Sequence, residues 1–350
     1  MSALPASSAS IAASASIAAS APAAAAAPTS SAASPTPSAP RVVPGGSPRA
    51  DGAAPSADGT GAWSGTMTPE ALSGGTLQLA DAVAGDLEGV QRLGVAYSGG
   101  VDSATLLALA VRALGSERVV ALLGVSPSLA ARERTIAHRV ADLIGAEVVE
   151  IRTHEGEREE YRRNDVDRCF YCKDELFTRI DDEVARDLGL DAVAYGENAD
   201  DALRPDRPGA EAATQHRVLR PLARSGMTKT QVRDVARVLS LPVADKPAAP
   251  CLASRIPHGQ EVTPEKLAQI EQLEAALIDA GFSDCRVRHH GDIARLELPA
   301  DELPRAVAPG VREQLQRAGK DAGFRHVALD LGGMQSGAFT LQILNARGSL

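Results

Sequence analysis

LGVAYSGGVDSATLLALA, residues 93–110, runs from an apolar stretch through a glycine turn into a helix pattern. The reading is strand, turn, helix. Gly99 and Gly100 let the backbone turn tightly and approach an anion without side chains in the way. The free N–H groups that open the following helix, with its dipole, favour phosphate. Ser98 and Ser103 add hydroxyl donors, Val101 lies within the turn, and Asp102 is placed to help hold a magnesium ion. No G-x-x-x-x-G-K-[ST] occurs in the chain, so this is not a Walker A loop. An ordinary strand-to-helix turn is the bland alternative, since Gly-Gly is common in loops.

Outward from this stretch the units alternate. Residues 77–90 read as an amphipathic helix, 104–114 as a helix, 118–125 as a buried strand and 129–144 as a helix ending at Gly145. A strand follows at 146–151, a helix at 174–188 and a strand at 192–195. Near-continuous apolar strands separated by helices predict a parallel sheet covered on both faces, the α/β class. Ligands on such sheets bind at the carboxyl ends of strands, where SGGVDS lies. Ser126, after RVVALLGV, and GENADD at 196–201, after AVAY, are expected at the same edge. A short strand at 217–219 and a helix at 228–239 come next, then a Pro-rich loop over 241–259. Beyond it the pattern changes. Thr263 caps a helix that has Pro264 at its first position and ends at Gly281. Strands at 284–290 and 292–298 form a hairpin with His290-Gly291 as its turn. A helix near 303–318 and strands near 326–331 and 338–343 complete a smaller α+β domain. The expected division is therefore a disordered segment over 1–75, an α/β domain over 76–260 and a small α+β domain over 261–350.

Composition sets limits on function. Of 350 residues, those up to about 65 are nearly all Ala, Ser, Pro and Gly, too poor in bulky apolar surface to offset the entropy of ordering. No basic residue precedes that Ala-rich stretch, so it does not read as a secretory signal. A formal charge of −9 and 3% aromatic residues argue against a nucleic-acid binder. No run of about 18 apolar residues indicates a membrane span. With 4 Cys and no secretory signal, the expectation is a cytoplasmic protein whose thiols serve metal or chemistry.

Cys169-Phe170-Tyr171-Cys172 puts two thiols within reach of one metal or cluster, which is half a site. The third candidate is Cys251, in KPAAPCLASR, approached by three prolines between 242 and 250 that stiffen the loop. A small buried cysteine is the alternative there. Cys285 alternates with Arg286 and Arg288 along a strand, so it is read as core. The two arginines then lie about 7 Å apart on one face, from two residues at strand rise. They suit a phosphate or carboxylate, or form a solvated basic face. His258 is a candidate fourth ligand for zinc.

SGGVDS resembles the PP-loop of ATP pyrophosphatases, enzymes that cleave ATP between the α and β phosphates and adenylate a substrate oxygen. Taken in order with RCFYCKDELF, YGENADD, GMTKTQVR, KPAAPCLASRIPHG and RVRHHGDIARLEL, it resembles the LarE family of ATP-dependent sulfur transferases, from about residue 75 onward. That resemblance implies a PP-loop, adenine nucleotide alpha hydrolase-like sheet. It also implies adenylation of a carboxylate of pyridinium-3,5-biscarboxylic acid mononucleotide and its conversion to a thiocarboxylate, a step towards the nickel-pincer nucleotide of lactate racemase. Some family members take the sulfur from one cysteine. Others carry three cysteines that hold a 4Fe-4S cluster.

By the resemblance, Cys251 matches the sulfur cysteine, and Cys169 and Cys172 match the added pair, so a cluster on these three is expected. Ser98–Ser103, Ser126, Gly196, Asp200 and Lys229 match the ATP site, with Mg2+ held near Asp102. Arg255, Arg286 and Arg288 match residues expected to hold the substrate's phosphate. Glu274 is a weaker match, with a surface glutamate as its alternative; a solvated lysine is the alternative for Lys229. The implied partner is a small-molecule nucleotide, with no nucleic acid and no membrane, and the implied assembly a homo-oligomer, a hexamer in the family. Rival functions are another PP-loop enzyme, either a tRNA thiolase or an amide-forming synthetase, and a nucleotide-binding iron–sulfur sensor without turnover.

Overall fold

Four parallel strands form the first sheet in the order β3-β2-β1-β4: β1 Leu93–Tyr97, β2 Val119–Val125, β3 Glu147–Arg152 and β4 Ala192–Tyr195. The computed structural model describes residues 67–203 and 208–334. Most of the Ala/Ser-rich head and the strand expected at 338–343 lie outside the described residues.

Strand side chains alternate between the two faces. Val119, Ala121 and Leu123 of β2 join one core, and Val120 and Leu122 join another on the opposite face. Both faces are covered, as the apolar strands require. The first core is built around the helix Val101–Leu114, in which Val101 and every residue from Ser103 to Ala110 are buried. A helix apolar on all sides has to be enclosed. This one packs against β1 and β2 and against the helices Gly74–Asp86, Ala131–Ile144 and Lys229–Val238.

From β1 the chain steps outward to β2 and β3, then returns across β1 to lay down β4. The reversal lies between β1 and β4, and ligand crevices of such sheets open there at the strands' carboxyl ends.

Four expectations are corrected. The helix expected from 174 begins at Arg168 and runs to Arg179, continuing through a π-turn, Ile180–Val184, into Ala185–Leu188. Cys, Phe and Tyr are poor helix formers, and burial of Arg168 and Phe177 outweighs that propensity. The strand expected at 217–219 is a single bridge, Ala194 to Leu219, because Arg217 takes a left-handed φ of 55°. Pairing of His290 with Ile293 makes Gly291-Asp292 the hairpin turn. The helix expected near 303–318 divides into Leu303–Ala306 and Val311–Asp321, with Pro309-Gly310 between them and Gly310 at φ 85°.

Among the described residues the second sheet has three strands, β5 Arg286–His290, β6 Ile293–Glu297 and β7 His326–Leu329. β5 and β6 are antiparallel, and β7 lies parallel to β6. The helix Pro264–Asp279 packs on it through Leu267, Ile270, Leu273 and Leu277. Tyr161, Leu252, Ala253, Ile256 and Val262 belong to this core as well. The later part of the Pro-rich loop is therefore packed with the second sheet, whereas Leu241, Val243 and Ala244 at its start belong to the first core.

Candidate active site

Gly99 sits at φ 70°, and a Cβ there would stand 2.8 Å from the Cβ of Ala137. Gly100 caps the helix that begins at Val101. The Ser98 N–H donates to Ser103 Oγ at 3.2 Å, and Ser103 Oγ donates to the Gly100 carbonyl at 3.1 Å. These bonds hold the turn open around the helix N-terminus.

Gly196, after β4, is forced by close approach. A Cβ there would lie 2.7 Å from the Ser103 nitrogen and 2.8 Å from the Asp102 carbonyl carbon. Asn198 Nδ2 donates to Asp102 Oδ1 at 3.1 Å. Lys229 Nζ donates to Asp102 Oδ2 at 2.5 Å, and the Lys229 N–H donates to Asp200 Oδ2 at 2.8 Å. Ser98–Ser103, Gly196, Asp200 and Lys229 thus meet at the reversal point of the sheet. Lys229 is ion-paired to Asp102, so a solvated lysine does not describe it.

Ser126 follows β2 and donates to Glu155 Oε1 at 2.5 Å. Glu155 is 2% exposed, and its Oε2 has no hydrogen-bond partner among the described residues. That carboxylate follows β3 in sequence that signals only a polar loop; burial is what singles it out.

Cys169 and Cys172 stand three apart on the helix Arg168–Arg179, on one face. Cys251 opens a short 3-10 turn, Leu252–Arg255. Cys169 and Cys251 both act electrostatically on Cys172. Burial, then Glu155, Cys251 and Cys169, push the Cys172 thiol well above its ordinary value, while Arg168 opposes. Burial raises the Tyr161 hydroxyl too, with Cys251 and Cys172 beside it. Tyr161 shares a 2.5 Å hydrogen bond with Ser128 Oγ, and the Ser128 carbonyl accepts the Leu252 N–H at 2.9 Å. Cys169 and Cys251 are exposed, so the small-buried-cysteine alternative fails for Cys251; Cys285 is buried core, as expected. His258 turns Nδ1 to the Asn164 carbonyl at 3.0 Å. Among the described residues no group of three or more His, Cys, Asp or Glu has the spacing of a metal site.

The arginines are not a solvated face: Arg255, Arg286 and Arg288 are 6%, 5% and 4% exposed. Burial, then Arg255 and Arg288, lower the Arg286 guanidinium, as expected of cations crowded together. Glu274 is no surface residue; it forms a two-pronged contact with Arg255 at 2.9 and 3.3 Å and accepts the Val287 N–H at 2.9 Å. Glu297 pairs with Arg288 at 2.9 Å, another partner the sequence did not single out. All three arginines also donate to the Pro-rich loop: Arg255 to Pro250 at 2.6 Å, Arg286 to Ala248 at 3.3 Å and Arg288 to Ser254 at 3.0 Å. The cationic cluster therefore shapes the loop that carries Cys251.

A parallel sheet with SGGVDS at its reversal point is the architecture of the PP-loop class. The family model described as asparagine synthase matches residues 76–186, which span that turn. A Synechocystis protein of uncharacterised function is 40% identical over 243 residues, 69% of this chain and 90% of its own length. The pyridinium-3,5-bisthiocarboxylic acid mononucleotide synthase of Lactiplantibacillus plantarum is 33% identical over 251 residues, 72% of this chain and 90% of its own. An uncharacterised Methanocaldococcus jannaschii protein is 30% identical over 169 residues, 48% of this chain and 64% of its own. The chain belongs to the family of the L. plantarum synthase, the LarE family. Among the described residues no helix is long and apolar enough to cross a membrane.

Proposed function

We propose that the protein is an ATP-dependent sulfur transferase that adenylates a carboxylate of pyridinium-3,5-biscarboxylic acid mononucleotide and converts it to a thiocarboxylate, in nickel-pincer nucleotide biosynthesis. Kinship with the L. plantarum synthase over 72% of the chain carries this reading. The site geometry is compatible with it.

In the first step a substrate carboxylate oxygen attacks the α-phosphorus of ATP, and pyrophosphate leaves. The N–H groups after Gly99 and Gly100 face the phosphates. Asp102 would hold Mg2+, which would supply charge stabilisation for the leaving pyrophosphate, and Lys229, now paired with Asp102, would then be able to meet phosphate. In the second step a sulfide equivalent attacks the acyl carbon, and AMP leaves with its electron pair. Adenylation has already made the leaving group good, so the protein mainly positions and shields. Arg286, with Arg255 and Arg288, receives the substrate phosphate, and Glu274 keeps Arg255 in place.

Cys169, Cys172 and Cys251 would hold a 4Fe-4S cluster. Thiolates are soft donors of the kind that ligate iron–sulfur clusters, and Cys169 and Cys251 both influence Cys172. Bound there, such a cluster supplies a site for the sulfide that is transferred. The protein is expected to act as a cytoplasmic homo-oligomer.

Pyrophosphate release from ATP is measured with and without the pyridinium biscarboxylate nucleotide. The reading expects release that depends on this substrate; no release, or release only with tRNA or ammonia, overturns it.

A further inference from the structure

Asn164 is fully buried and holds a left-handed φ of 57°, a conformation that asparagine tolerates better than most residues. Its Nδ2 group donates to the carbonyls of Ile256, Pro257 and Gln260 at 3.2, 2.9 and 3.0 Å. Its own carbonyl accepts the Gly259 N–H at 3.1 Å. One side chain thus gathers the turn that follows the Cys251 segment. Its Oδ1 atom accepts from Arg168 Nη1 at 2.5 Å.

Arg168 is 7% exposed and immediately precedes Cys169. The same Nη1 that meets Asn164 also donates to the Ala253 carbonyl at 2.9 Å, two residues beyond Cys251. Nη1 thus links Asn164 to the loop at Ala253, and Arg168 lies beside the Cys169 sulfur. Burial works against its charge, and Cys251, Cys169 and Tyr161 outweigh that effect.

The helix with Cys169 and Cys172 and the turn with Cys251 are far apart in sequence. Arg168 joins them through two hydrogen bonds from Nη1, one to Asn164 and one to the Ala253 carbonyl. We propose that Arg168, seated on Asn164, is a positioning residue for sulfur transfer: it sets the Cys251 turn against the helix turn of Cys169 and Cys172. The inference rests on the sulfur-transferase reading. It concerns only the second step, since SGGVDS and Lys229 lie apart from these bonds.

The test compares the full chain with Arg168→Met and Arg168→Lys. Pyrophosphate release reports adenylation, thiocarboxylate per pyrophosphate reports transfer, and thermal unfolding monitors the fold. A misplacement of about 1 Å is worth ~100-fold, so Arg168→Met is expected to release pyrophosphate near the parent rate while yielding ~100-fold less thiocarboxylate. Arg168→Lys, keeping charge and part of the reach, should recover some of it. A substrate-free arm measures cross-linking of Cys251 to Cys169 or Cys172 by a short bifunctional thiol reagent in the metal-free protein, mapped by peptide mass. The parent should cross-link, and Arg168→Met should do so at least ~10-fold more slowly, since a loop no longer held loses its effective concentration. Parent-like product ratios or parent-like cross-linking in Arg168→Met overturn the proposal. So does an equal fall of both steps in both variants, which makes Arg168 a general fold residue. If the parent releases no pyrophosphate, the sulfur-transferase reading fails while the cross-linking arm still decides the positioning.

Discussion

Gly196 shows how one residue type can be dictated by another element. The Ser103 nitrogen and Asp102 carbonyl carbon stand where its Cβ would be, at 2.7 and 2.8 Å, and both belong to backbone that cannot swing aside. Gly196→Ala is expected to push β4 away from the N-terminus of the helix Val101–Leu114. Pyrophosphate release should fall ~100-fold, in keeping with the cost of an ångström-scale misplacement, with far-ultraviolet circular dichroism unchanged. Retained activity would mean that the two loops can separate without loss. At this scale much of the site was legible in the sequence. SGGVDS, Gly196, Asp200 and Lys229 were expected together, and they meet. Glu155, Asn164 and Arg168 were not singled out, because a glutamate, an asparagine and an arginine in polar sequence carry no sign of their burial.

At the scale of elements, the helix Arg168–Arg179 is tied to the segment after β4 by His216. Its Nδ1 lies 2.7 Å from Asp181 and its Nε2 3.1 Å from Asp174, whose other oxygen accepts from Arg158 at 2.7 Å. Phe177 lies against the ring, and Asp181 stands in the π-turn. Burial opposes the charge of His216, but hydrogen bonds to Asp181 and Asp174 prevail and raise it above its ordinary 6.5. A raised histidine stabilises the fold below its unfolded value. That contribution is lost as pH rises through the folded value. Urea midpoints of the parent should therefore fall from about pH 6.5 towards alkaline values, and His216→Gln should flatten that part of the profile. An unchanged profile in His216→Gln would assign the dependence elsewhere. Sequence located this helix but not its start, because the four aromatic and thiol residues after Arg168 have poor helix propensity and only packing recruits them.

Across the whole molecule, two sheets share one loop. Ile256, 1% exposed, follows Arg255 and is packed in the core of the second sheet, while its carbonyl accepts from Asn164 beside the cysteine helix. Ile256→Ala is expected to cost ~2–5 kcal/mol by urea denaturation, the range for a buried Ile truncated to Ala. It should also weaken substrate binding, because Arg255, Arg286 and Arg288 all donate to this loop. A stability loss with unchanged KM would show that the arginines hold their geometry without the second core. Sequence alone determined the parallel α/β class, the glycine turn between β1 and the helix that follows it, and the candidate set of three thiols and three arginines. These signals are local: strand periodicity, glycine pairs and short spacings survive in a linear reading. Tertiary structure alone decided that the arginines are buried and grip the Cys251 loop, that Glu274 and Glu297 are their partners, and that Asn164 and Arg168 join the two cysteine elements. The arginine contacts span up to 38 positions and those of Asn164 and Arg168 with the loop span 85 to 96, and only the packing of two cores on one loop brings these residues together.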